Sequence, residues 1–260
     1  MRRRLDAELV RRGLATSRAG AVEAVATGRV LVGGMPASSP ARQVAPDEAI
    51  DVAAPDAQFV SRGGRKLDAA LDAFGIDVSG HVAVDVGAST GGFTDCLLQR
   101  GATHVFAIDV GRGQLAWKLR TDERVTVMER TNVRDLEAGA LDPLPTIAVA
   151  DLSFISLRTV APHLLAITAP ACEFVLLVKP QFEAGRARVG KGGIVRDPDV
   201  RADVVREVVA GLAERGLGVR ALVPSPITGA DGNVEYVAWA RRGARELDDD
   251  VLETVVRGTA

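Results

Sequence analysis

The chain has 260 residues, of which 47% are hydrophobic and 25% are charged, and its formal net charge is -2. This length and composition exclude a disordered chain and are typical of one full α/β domain with a small second domain. The longest apolar region, residues 160–178, is interrupted by Pro162, His163, Pro170 and Glu173, so it lacks the roughly 20 consecutive apolar residues that cross a bilayer.

The N-terminus and the cysteines bear on the cellular compartment. The first arginines are not followed by an apolar segment, so no secretory signal is predicted. Cys96 and Cys172 are isolated and lack the spacing of metal ligands, which favours reduced thiols over a disulfide framework. We therefore expect a cytoplasmic protein with no bound metal, no membrane association and no obligate protein partner.

The charge is distributed unevenly along the chain. Residues 1–66 contain 11 Lys and Arg against 7 Asp and Glu, a net charge of +4, whereas the remaining residues carry a net charge of -6. A basic segment attached to an acidic body suggests a module that binds a polyanion. Ordinary scatter of charged residues would give the same counts, so the numbers alone leave both interpretations open.

The first 57 residues are predicted to form two helices and a small sheet. Leu5, Leu9 and Val10 mark the first helix, which stops at Gly13, and Ser17 is the expected N-cap of the second. The expected apolar face of the second helix is Ala21, Val22, Val25 and Ala26. The arginines expected on the polar surfaces of the helices are Arg4, Arg11, Arg12 and Arg18. The alternating stretches "RVLVGG" and "EAIDVAAP" then predict short strands.

Taken whole, "RLDAELVRRGLATSRAGAVEAVATGRVLVGG" resembles the RNA-binding module of the ribosomal-protein-S-four type. The resemblance implies that residues 1–57 lay arginines on RNA phosphates, which gives affinity with little reading of the base sequence. One departure lies at Ser39 and Pro40, where many relatives have a lysine before the proline. Residues 58–61 are expected to form a linker.

Strand and helix patterns alternate in residues 62–245, the expected second domain, and residues 246–260 are expected to form a tail. The predicted strands end at Val86, Val110, Glu129, Leu152, Lys179, Pro224 and Ala240. The predicted helices include Arg65–Phe74, Phe93–Gln99, Gly113–Arg120 and Pro198–Arg215. Apolar strands that alternate with helices predict a parallel sheet covered on both faces, and the last two strands predict an antiparallel pair. The predicted fold class is α/β: a Rossmann-like, doubly wound, mostly parallel seven-stranded sheet with a small α+β N-terminal domain.

A glycine-rich turn follows the first of these strands in "VAVDVGASTGGFTDCLL". Doubly wound sheets bind nucleotides at this place. The spacing of Gly87, Gly91 and Gly92 is not the G-x-G-x-x-G of dinucleotide enzymes, and the Gly-Lys-Ser/Thr of a phosphate loop is missing, so no pyrophosphate is indicated. The turn could also serve only to pack the strand against the helix.

Carboxylates accompany this turn. Asp85 ends the first strand and Asp109 the second, where a carboxylate can accept the ribose hydroxyls of an adenosine. Carboxylates repel a phosphate chain but tolerate a sulfonium and an ammonium group, so S-adenosylmethionine fits better than NAD. Asn132 follows the third strand near the expected adenine edge, while Asp135 would serve there or as a helix cap. The residues predicted to bind S-adenosylmethionine are Asp85, Gly87, Ala88, Ser89, Gly91, Gly92, Phe93, Asp109, Val110, Asn132 and Asp151.

Four charged residues are predicted to meet at the carboxyl edge of the sheet, which lines the active crevice of open parallel sheets. They are Lys66, Asp151, Lys179 and Glu235. Lys66 and Glu235 could instead face water, and Asp151 could cap the next helix. Pro180 stops the strand immediately after Lys179, and the basic, glycine-bearing stretch that follows is typical of a substrate lid or an RNA contact.

These four residues resemble the Lys-Asp-Lys-Glu set of the FtsJ-like ribose 2′-O-methyltransferases. The strings "VSRGGRKL", "DVGASTGGFTD", "ERTNVRDL", "VADLSFISL", "LVKPQFE", "GKGGIVRD" and "GNVEY" resemble the TlyA-type branch, ribosomal RNA 2′-O-methyltransferases also labelled haemolysin A. The resemblance implies methylation of cytidine 2′-hydroxyls in small-subunit, and in some members large-subunit, ribosomal RNA. Departures are Arg112, where relatives usually have an aromatic residue, and the connector "AQFV".

Methyl transfer to a hydroxyl requires that the hydroxyl lose its proton. In our hypothesis Lys179 removes this proton and Asp151 orients Lys179, while Lys66 and Glu235 position the ribose; alternatively, Lys179 stays protonated and stabilises the oxyanion.

The residues predicted to contact RNA are Arg4, Arg11, Arg18, Arg62, Arg65, Arg186, Arg188 and Lys191. Three other functions are alternatives to ribosomal RNA methylation: a non-catalytic RNA-binding or ribosome-assembly factor, a membrane-active haemolysin and a small-molecule methyltransferase.

Overall fold

A computed structural model of the chain describes residues 2–53, 58–190, 192–229, 232–245 and 247–259, without the side chain of Arg186. The chain divides into two compact units, Met1–Arg62 and Gly63–Ala260. Within the described residues, no helix combines the length and the apolar character that a bilayer crossing needs.

The first unit contains two helices and five short strands among its described residues. The helices are α1 (Leu5–Arg11) and α2 (Arg18–Ala26). The strands are β1 (Arg3–Arg4), β2 (Val30–Val32), β3 (Met35–Pro36), β4 (Gln43–Val44) and β5 (Ile50–Val52). Strands β3, β2 and β5 form an antiparallel sheet in that order, and β1 pairs with β4. Leu5 and Leu9 of α1 are fully buried in one core, where they pack with residues of α2 and the strands.

Helix α2 begins as predicted but buries a different face. The Ser17 hydroxyl accepts a hydrogen bond from the amide of Gly20, which confirms Ser17 as the N-cap. Its buried residues are Ala21, Ala24 and Val25, whereas Val22 and Ala26, predicted to be buried, are exposed. Positions i, i+3 and i+4 form a narrow stripe on one side of a helix, and here small apolar residues occupy that stripe.

The second unit is built on a seven-stranded sheet, as counted in its described residues. Its strands are β6 (Val82–Val86), β7 (His104–Asp109), β8 (Val125–Glu129), β9 (Ile147–Ala150), β10 (Glu173–Val178), β11 (Leu217–Pro224) and β12 (Tyr236–Arg242). They are ordered β11-β12-β10-β9-β6-β7-β8, and β12 is antiparallel to both of its neighbours, whereas the other neighbouring pairs are parallel. The predicted doubly wound, mostly parallel sheet is confirmed.

Helices cover this sheet. They are α3 (Gly63–Phe74), α4 (Gly92–Gln99), α5 (Trp117–Arg120), α6 (Leu157–Ala166), α7 (Pro180–Glu183), α8 (Pro198–Ala213) and α9 (Asp249–Arg257). In β10, Phe174 and Leu176 join a core with residues of α6, α8 and α9, and Val175, on the opposite face, is also fully buried. Burial on both faces explains why β10 is a continuous apolar run rather than an alternating one.

Several predicted boundaries differ from the structure. The helix predicted at Gly113–Arg120 is formed only at Trp117–Arg120, because Glu129 accepts a hydrogen bond from the Gly113 amide and Asp109 one from the Gly111 amide, which hold the preceding residues as a loop. The expected tail contains α9, whose Leu252 and Val256 are fully buried in the core of the second unit. Apolar residues at helical spacing anchor α9 there.

The charged residues assigned to strands lie just outside them. β9 ends at Ala150 before Asp151, β10 ends at Val178 before Lys179, and β12 begins after Glu235. Lys179 is the N-cap of α7 and Pro180 its first residue, where proline is favoured because its missing N–H would have no helical partner. The stretch predicted as a loop after Pro180 therefore begins with a helical turn.

Candidate active site

A cleft of about 710 Å³ opens at the carboxyl ends of β6, β7, β8 and β9. Its wall consists of the last residues of β6 and β7 and of residues that follow the four strands, together with Gln114 and two residues of α6, Thr159 and Val160. Four loops at the same edge of a parallel sheet form the usual ligand crevice of this architecture.

The predicted cofactor residues divide into two sets. Six line the cleft: Gly87, Ser89, Asp109, Val110, Asn132 and Asp151. The other five are buried and do not belong to its wall: Asp85, Ala88, Gly91, Gly92 and Phe93. The second set packs the turn after β6 onto α4, so the packing interpretation applies to it, whereas the first set is still a prediction of cofactor contacts.

Two glycines illustrate this division. Gly87 has φ +86°, and a Cβ there would lie 2.4 Å from the carbonyl oxygen of Asp151, so only glycine lets the turn pass this close to the neighbouring loop. Gly91 has φ +96°, and a Cβ there would meet the side chains of Leu115 and Leu119. Gly87 shapes the cleft, whereas Gly91 serves packing.

Asp109 is held in place by backbone amides. Its Oδ2 accepts a hydrogen bond of 2.8 Å from the Ser89 amide, and its Oδ1 accepts one of 2.6 Å from the Gly111 amide. A carboxylate oxygen can accept a second hydrogen bond. Asp109 therefore ties the turn after β6 to the loop after β7 and retains capacity for hydroxyl groups in the cleft.

Asp85 lies beneath the cleft. Its side chain is fully buried, Oδ2 accepts a hydrogen bond of 2.7 Å from the Thr94 hydroxyl, and Oδ1 has no hydrogen-bond partner among the described residues. Burial raises the pKa of Asp85 to about 7, and the nearby carboxylates of Asp151 and Asp109 act in the same direction. The structure thus separates the two carboxylates: Asp109 faces the cleft and Asp85 the protein interior.

Asn132 lines the cleft and also caps the short 3₁₀ turn Val133–Asp135, because its Oδ1 accepts a hydrogen bond of 3.1 Å from the Arg134 amide. The sequence left a capping role open for Asp135. In the structure Asn132 has that role and Asp135 is the last residue of the turn.

Lys179 and Asp151 form an ion pair at the edge of the cleft. The Lys179 Nζ lies 2.5 Å from Asp151 Oδ1 and donates a hydrogen bond of 3.3 Å to the Ser153 hydroxyl. Asp151 and Ser153 both line the cleft. Asp151 does not cap α6, since Ser156 is the N-cap of that helix.

Lys66 and Glu235 form a second ion pair, with 2.5 Å between Nζ and Oε2. The two side chains are only 10% and 2% exposed, so neither faces water. Glu235 Oε1 accepts a weak hydrogen bond of 3.4 Å from the side-chain Nε2 of Gln181. Because Lys179 and Gln181 lie in the same turn, the two ion pairs meet at α7.

Helix α7 supplies residues that the sequence analysis did not identify. Gln181 contacts Glu235, and its own Oε1 is buried with no hydrogen-bond partner in the described part of the chain. Buried Glu183 accepts hydrogen bonds from the Ser156 hydroxyl (2.6 Å) and the Leu157 amide (2.7 Å), and burial raises the pKa of Glu183. The available signal was proline directly after a capping position, which predicts a helix start. Helix α7 therefore joins the Glu235 side of the site to the loop after β9.

That loop carries an exposed aromatic residue. Phe154 is 90% exposed, lines the cleft, and packs against Phe182 with ring centroids 4.8 Å apart. Its φ of 64° is rare for a bulky residue, and such strain is concentrated at functional sites. An exposed ring beside the cleft can stack on an unpaired nucleobase.

The predicted RNA-contacting residues are spread over both units. In the first unit Arg4, Arg11 and Arg18 each form an ion pair with a buried carboxylate. Arg62 and Arg65 are exposed. Arg188 is bound to Glu207 of α8 at 2.6 Å and 2.7 Å, whereas Lys191 and the side chain of Arg186 lie outside the described residues.

Known proteins share this architecture and sequence. The FtsJ-like methyltransferase family matches residues 59–242, and the S4 domain family matches residues 3–50. The chain is 49% identical to the 16S/23S rRNA (cytidine-2'-O)-methyltransferase TlyA of Mycobacterium tuberculosis, over 99% of this chain and 98% of that protein. It is 40% identical to Hemolysin A of Brachyspira hyodysenteriae, over 90% of this chain and 98% of that protein.

A solved structure of a candidate hemolysin from Streptococcus thermophilus superposes with a TM-score of 0.77 and 38% identity, covering 99% of this chain and 95% of that one. The resemblance inferred from the motifs is therefore confirmed by matches that span both units. This chain belongs to the FtsJ-like methyltransferase family, in its TlyA branch, with an N-terminal S4 domain.

Proposed function

We propose that the protein transfers a methyl group from S-adenosylmethionine to the ribose 2′-hydroxyl of cytidine in ribosomal RNA. The observation that carries this proposal is the Lys179–Asp151 ion pair of 2.5 Å, which holds a cation at the edge of a cleft at the carboxyl ends of the strands. The name of the Mycobacterium tuberculosis relative supports the nucleoside and the RNA class.

The residues of the cleft fit S-adenosylmethionine. Gly87 lets the turn after β6 lie against the Asp151 backbone in the cleft wall, where a Cβ would clash, and Asp109 offers carboxylate oxygens to hydroxyl groups. The acidic residues Asp109 and Asp151 in the wall disfavour a phosphate chain and suit a cationic ligand. When bound, the cofactor supplies an electrophilic methyl group on its sulfonium sulfur.

The S-adenosylmethionine assignment predicts the effect of Asp109→Ala. Loss of hydrogen bonds to a charged group costs about 1.5–3 kcal/mol, so the Kd for S-adenosylmethionine should rise by roughly 10- to 100-fold in isothermal titration calorimetry. The matched control is Asp203→Ala, which removes an exposed carboxylate of α8 outside the cleft and should leave this Kd unchanged. Equal affinities of both variants would contradict the assignment.

We propose that the chain's own residues handle the 2′-hydroxyl. Two directions around the Lys179 ammonium are taken by Asp151 and Ser153, which leaves a third for the ribose oxygen. Lys179 either accepts the hydroxyl proton in its neutral form or stabilises the forming oxyanion as a cation. Lys66 and Glu235, held by Gln181 next to this turn, position the ribose.

Glu235 depends on a glycine for its place, which gives a second prediction. A Cβ at Gly229 would lie 2.2 Å from Glu235 Oε1 and 2.6 Å from its carboxyl carbon. Gly229→Ala should therefore displace the Glu235 carboxylate and lower kcat by roughly 10- to 100-fold, because a misplacement of about 1 Å near a reacting group can cost about 10²-fold in rate. S-adenosylmethionine affinity should stay unchanged, because Gly229 does not line the cleft. A Gly229→Ala enzyme with the wild-type kcat would show that the Glu235 position is not required.

The proposed function is tested with purified protein, methyl-labelled S-adenosylmethionine and separated small and large ribosomal subunits. Label in the RNA of either subunit, or of both, supports the proposal, and a substrate of this kind implies a cytoplasmic protein. A protein that binds subunits but transfers no label would instead be the non-catalytic RNA-binding factor.

A further inference from the structure

We propose that Asp6 and Glu8, two buried carboxylates of the S4 domain, are positioning residues that hold Arg4, Arg18 and Arg11 in the orientation in which they bind RNA phosphates. These three arginines are called the arginine surface below. This inference rests on the proposed function, because it takes ribosomal RNA as the ligand.

Asp6 connects the starts of two helices. Its side chain is nearly inaccessible, at 3% exposure of the residue. Oδ1 accepts hydrogen bonds from Arg4 Nε (3.1 Å) and the Ala7 amide (2.8 Å), and Oδ2 accepts from Arg4 Nη2 (2.9 Å) and Arg18 Nη2 (3.0 Å). Arg4 is thus held in the bidentate geometry that fixes a guanidinium plane. The single carboxylate of Asp6 therefore orients two arginines: Arg4, directly before α1, and Arg18, the first residue of α2.

Glu8, two residues further along α1, holds arginines in a similar way. Its carboxylate receives Arg11 Nη2 at 2.5 Å and Nε at 2.8 Å, and Arg12 Nε at 2.9 Å. Arg12 also donates to the carbonyl oxygens of Pro46 and Glu48, so it serves the packing of the domain. Arg11 remains the outward-facing member of this group.

The carboxylates are buried while the arginine surface is not. The side chains of Arg4, Arg11 and Arg18 are 48%, 49% and 63% exposed. A guanidinium has five N–H donors, and the carboxylates occupy one or two of them on each arginine, so the others remain for phosphate oxygens. Beside Arg11 lies a depression of about 210 Å³ that Arg3 and Glu8 also line, so Arg11 and the carboxylate that holds it border the same recess.

Loss of one of these carboxylates has two opposite effects on RNA binding. Removal of a carboxylate from a polyanion-binding domain raises its net positive charge, which by itself strengthens RNA binding. Removal of Asp6 or Glu8 also frees long, flexible side chains that must then be ordered when RNA binds. We expect the second effect to dominate, because each buried carboxylate fixes two guanidinium groups.

The experiment compares full-length wild type, Asp6→Asn, Glu8→Gln and Glu23→Gln in filter binding to deproteinised small-subunit ribosomal RNA over a series of KCl concentrations. Glu23 is a matched control: it is exposed on α2 and has no arginine partner in the described part of the chain. Asp6→Asn and Glu8→Gln should each weaken binding by about 5- to 10-fold, whereas Glu23→Gln should bind as the wild type or more tightly. The slope of log K against log[KCl] should fall by about one for each phosphate that a variant no longer binds.

A double-mutant cycle separates positioning from folding. If Asp6 acts through Arg18, Arg18→Met should cost less RNA affinity in the Asp6→Asn background than in the wild type, whereas independent effects would add. Thermal unfolding followed by circular dichroism checks that the variants are folded. The same cycle with Glu8→Gln and Arg11→Met tests the second carboxylate and its arginine.

The outcomes distinguish this inference from the function on which it rests. If wild type binds and both Asp6→Asn and Glu8→Gln bind at least as tightly as Glu23→Gln, the carboxylates merely compete with phosphate and the inference is overturned. If the wild type itself does not bind ribosomal RNA, the proposed function fails.

Discussion

Lys179→Met is expected to lower kcat for methyl transfer by about 10²- to 10⁴-fold, the usual effect of losing a group that transfers a proton in the transition state. Lys179 lies at the edge of the cleft in contact with Asp151 and Ser153 but is not part of the cleft wall. The Kd for S-adenosylmethionine should therefore change little. Single-turnover transfer from labelled cofactor to ribosomal subunits measures the first quantity, and calorimetry measures the second.

Lys118→Met is the matched control. Lys118 also forms an ion pair, with Asp95 at 3.0 Å, but its side chain is 57% exposed and lies outside the cleft wall. This variant should transfer methyl groups at the wild-type rate. A kcat for Lys179→Met within about 3-fold of the control would remove Lys179 from the mechanism.

The pH dependence of kcat distinguishes the two roles considered for Lys179. A general base must be deprotonated to act, so its activity rises with pH along an ascending limb, and Lys179→Arg should abolish that limb, because arginine stays protonated. A cationic clamp requires the protonated form, so Lys179→Arg should retain measurable activity and the ascending limb should not depend on residue 179.

Lys66→Met is expected to destabilise the second unit strongly. It leaves Glu235, whose side chain is 2% exposed, without its ammonium partner, and breaking a buried ion pair from one side costs about 3–5 kcal/mol in the free energy of unfolding. The double variant Lys66→Met with Glu235→Leu removes both charges. It should recover most of that stability, because an apolar pair can replace a buried ion pair, but it should recover no activity.

Urea unfolding measures the stabilities, and methyl transfer measures the activities. Arg188→Met is the control for an exposed pair: it disrupts the ion pair with Glu207, whose side chain is 43% exposed, and should cost less than about 1 kcal/mol. An active double variant would show that Lys66 and Glu235 only stabilise the fold. A single Lys66→Met variant as stable as the wild type would contradict the expected cost of the buried pair.

Strand ends could be predicted from the sequence because a buried strand is a run of apolar residues whose end is visible in the sequence. The edge where a site forms is indicated by the apolar run that becomes β10 and by the charged residue that ends β7 or directly follows β9 and β10. That reasoning located Asp109, Asp151 and Lys179 at one edge of the sheet, and the structure has them there.

Partners were not predictable in the same way. Lys66 and Glu235 are 169 positions apart, and no local pattern records which carboxylate meets which lysine. The short helix α7 escaped notice because four residues are too few for a helical period, and Phe154 because its exposure depends on a strained loop rather than on apolar spacing. Interactions of this kind arise only when the chain has folded.

The proposed function requires that the site methylate a ribose oxygen of cytidine. It is tested most directly by digesting ribosomal RNA to nucleosides after reaction with methyl-labelled S-adenosylmethionine and separating the products by liquid chromatography with mass spectrometry. We expect the label to appear as 2′-O-methylcytidine and to be lost in the Lys179→Met variant. Label on a base, on another nucleoside, or undiminished in that variant would contradict it.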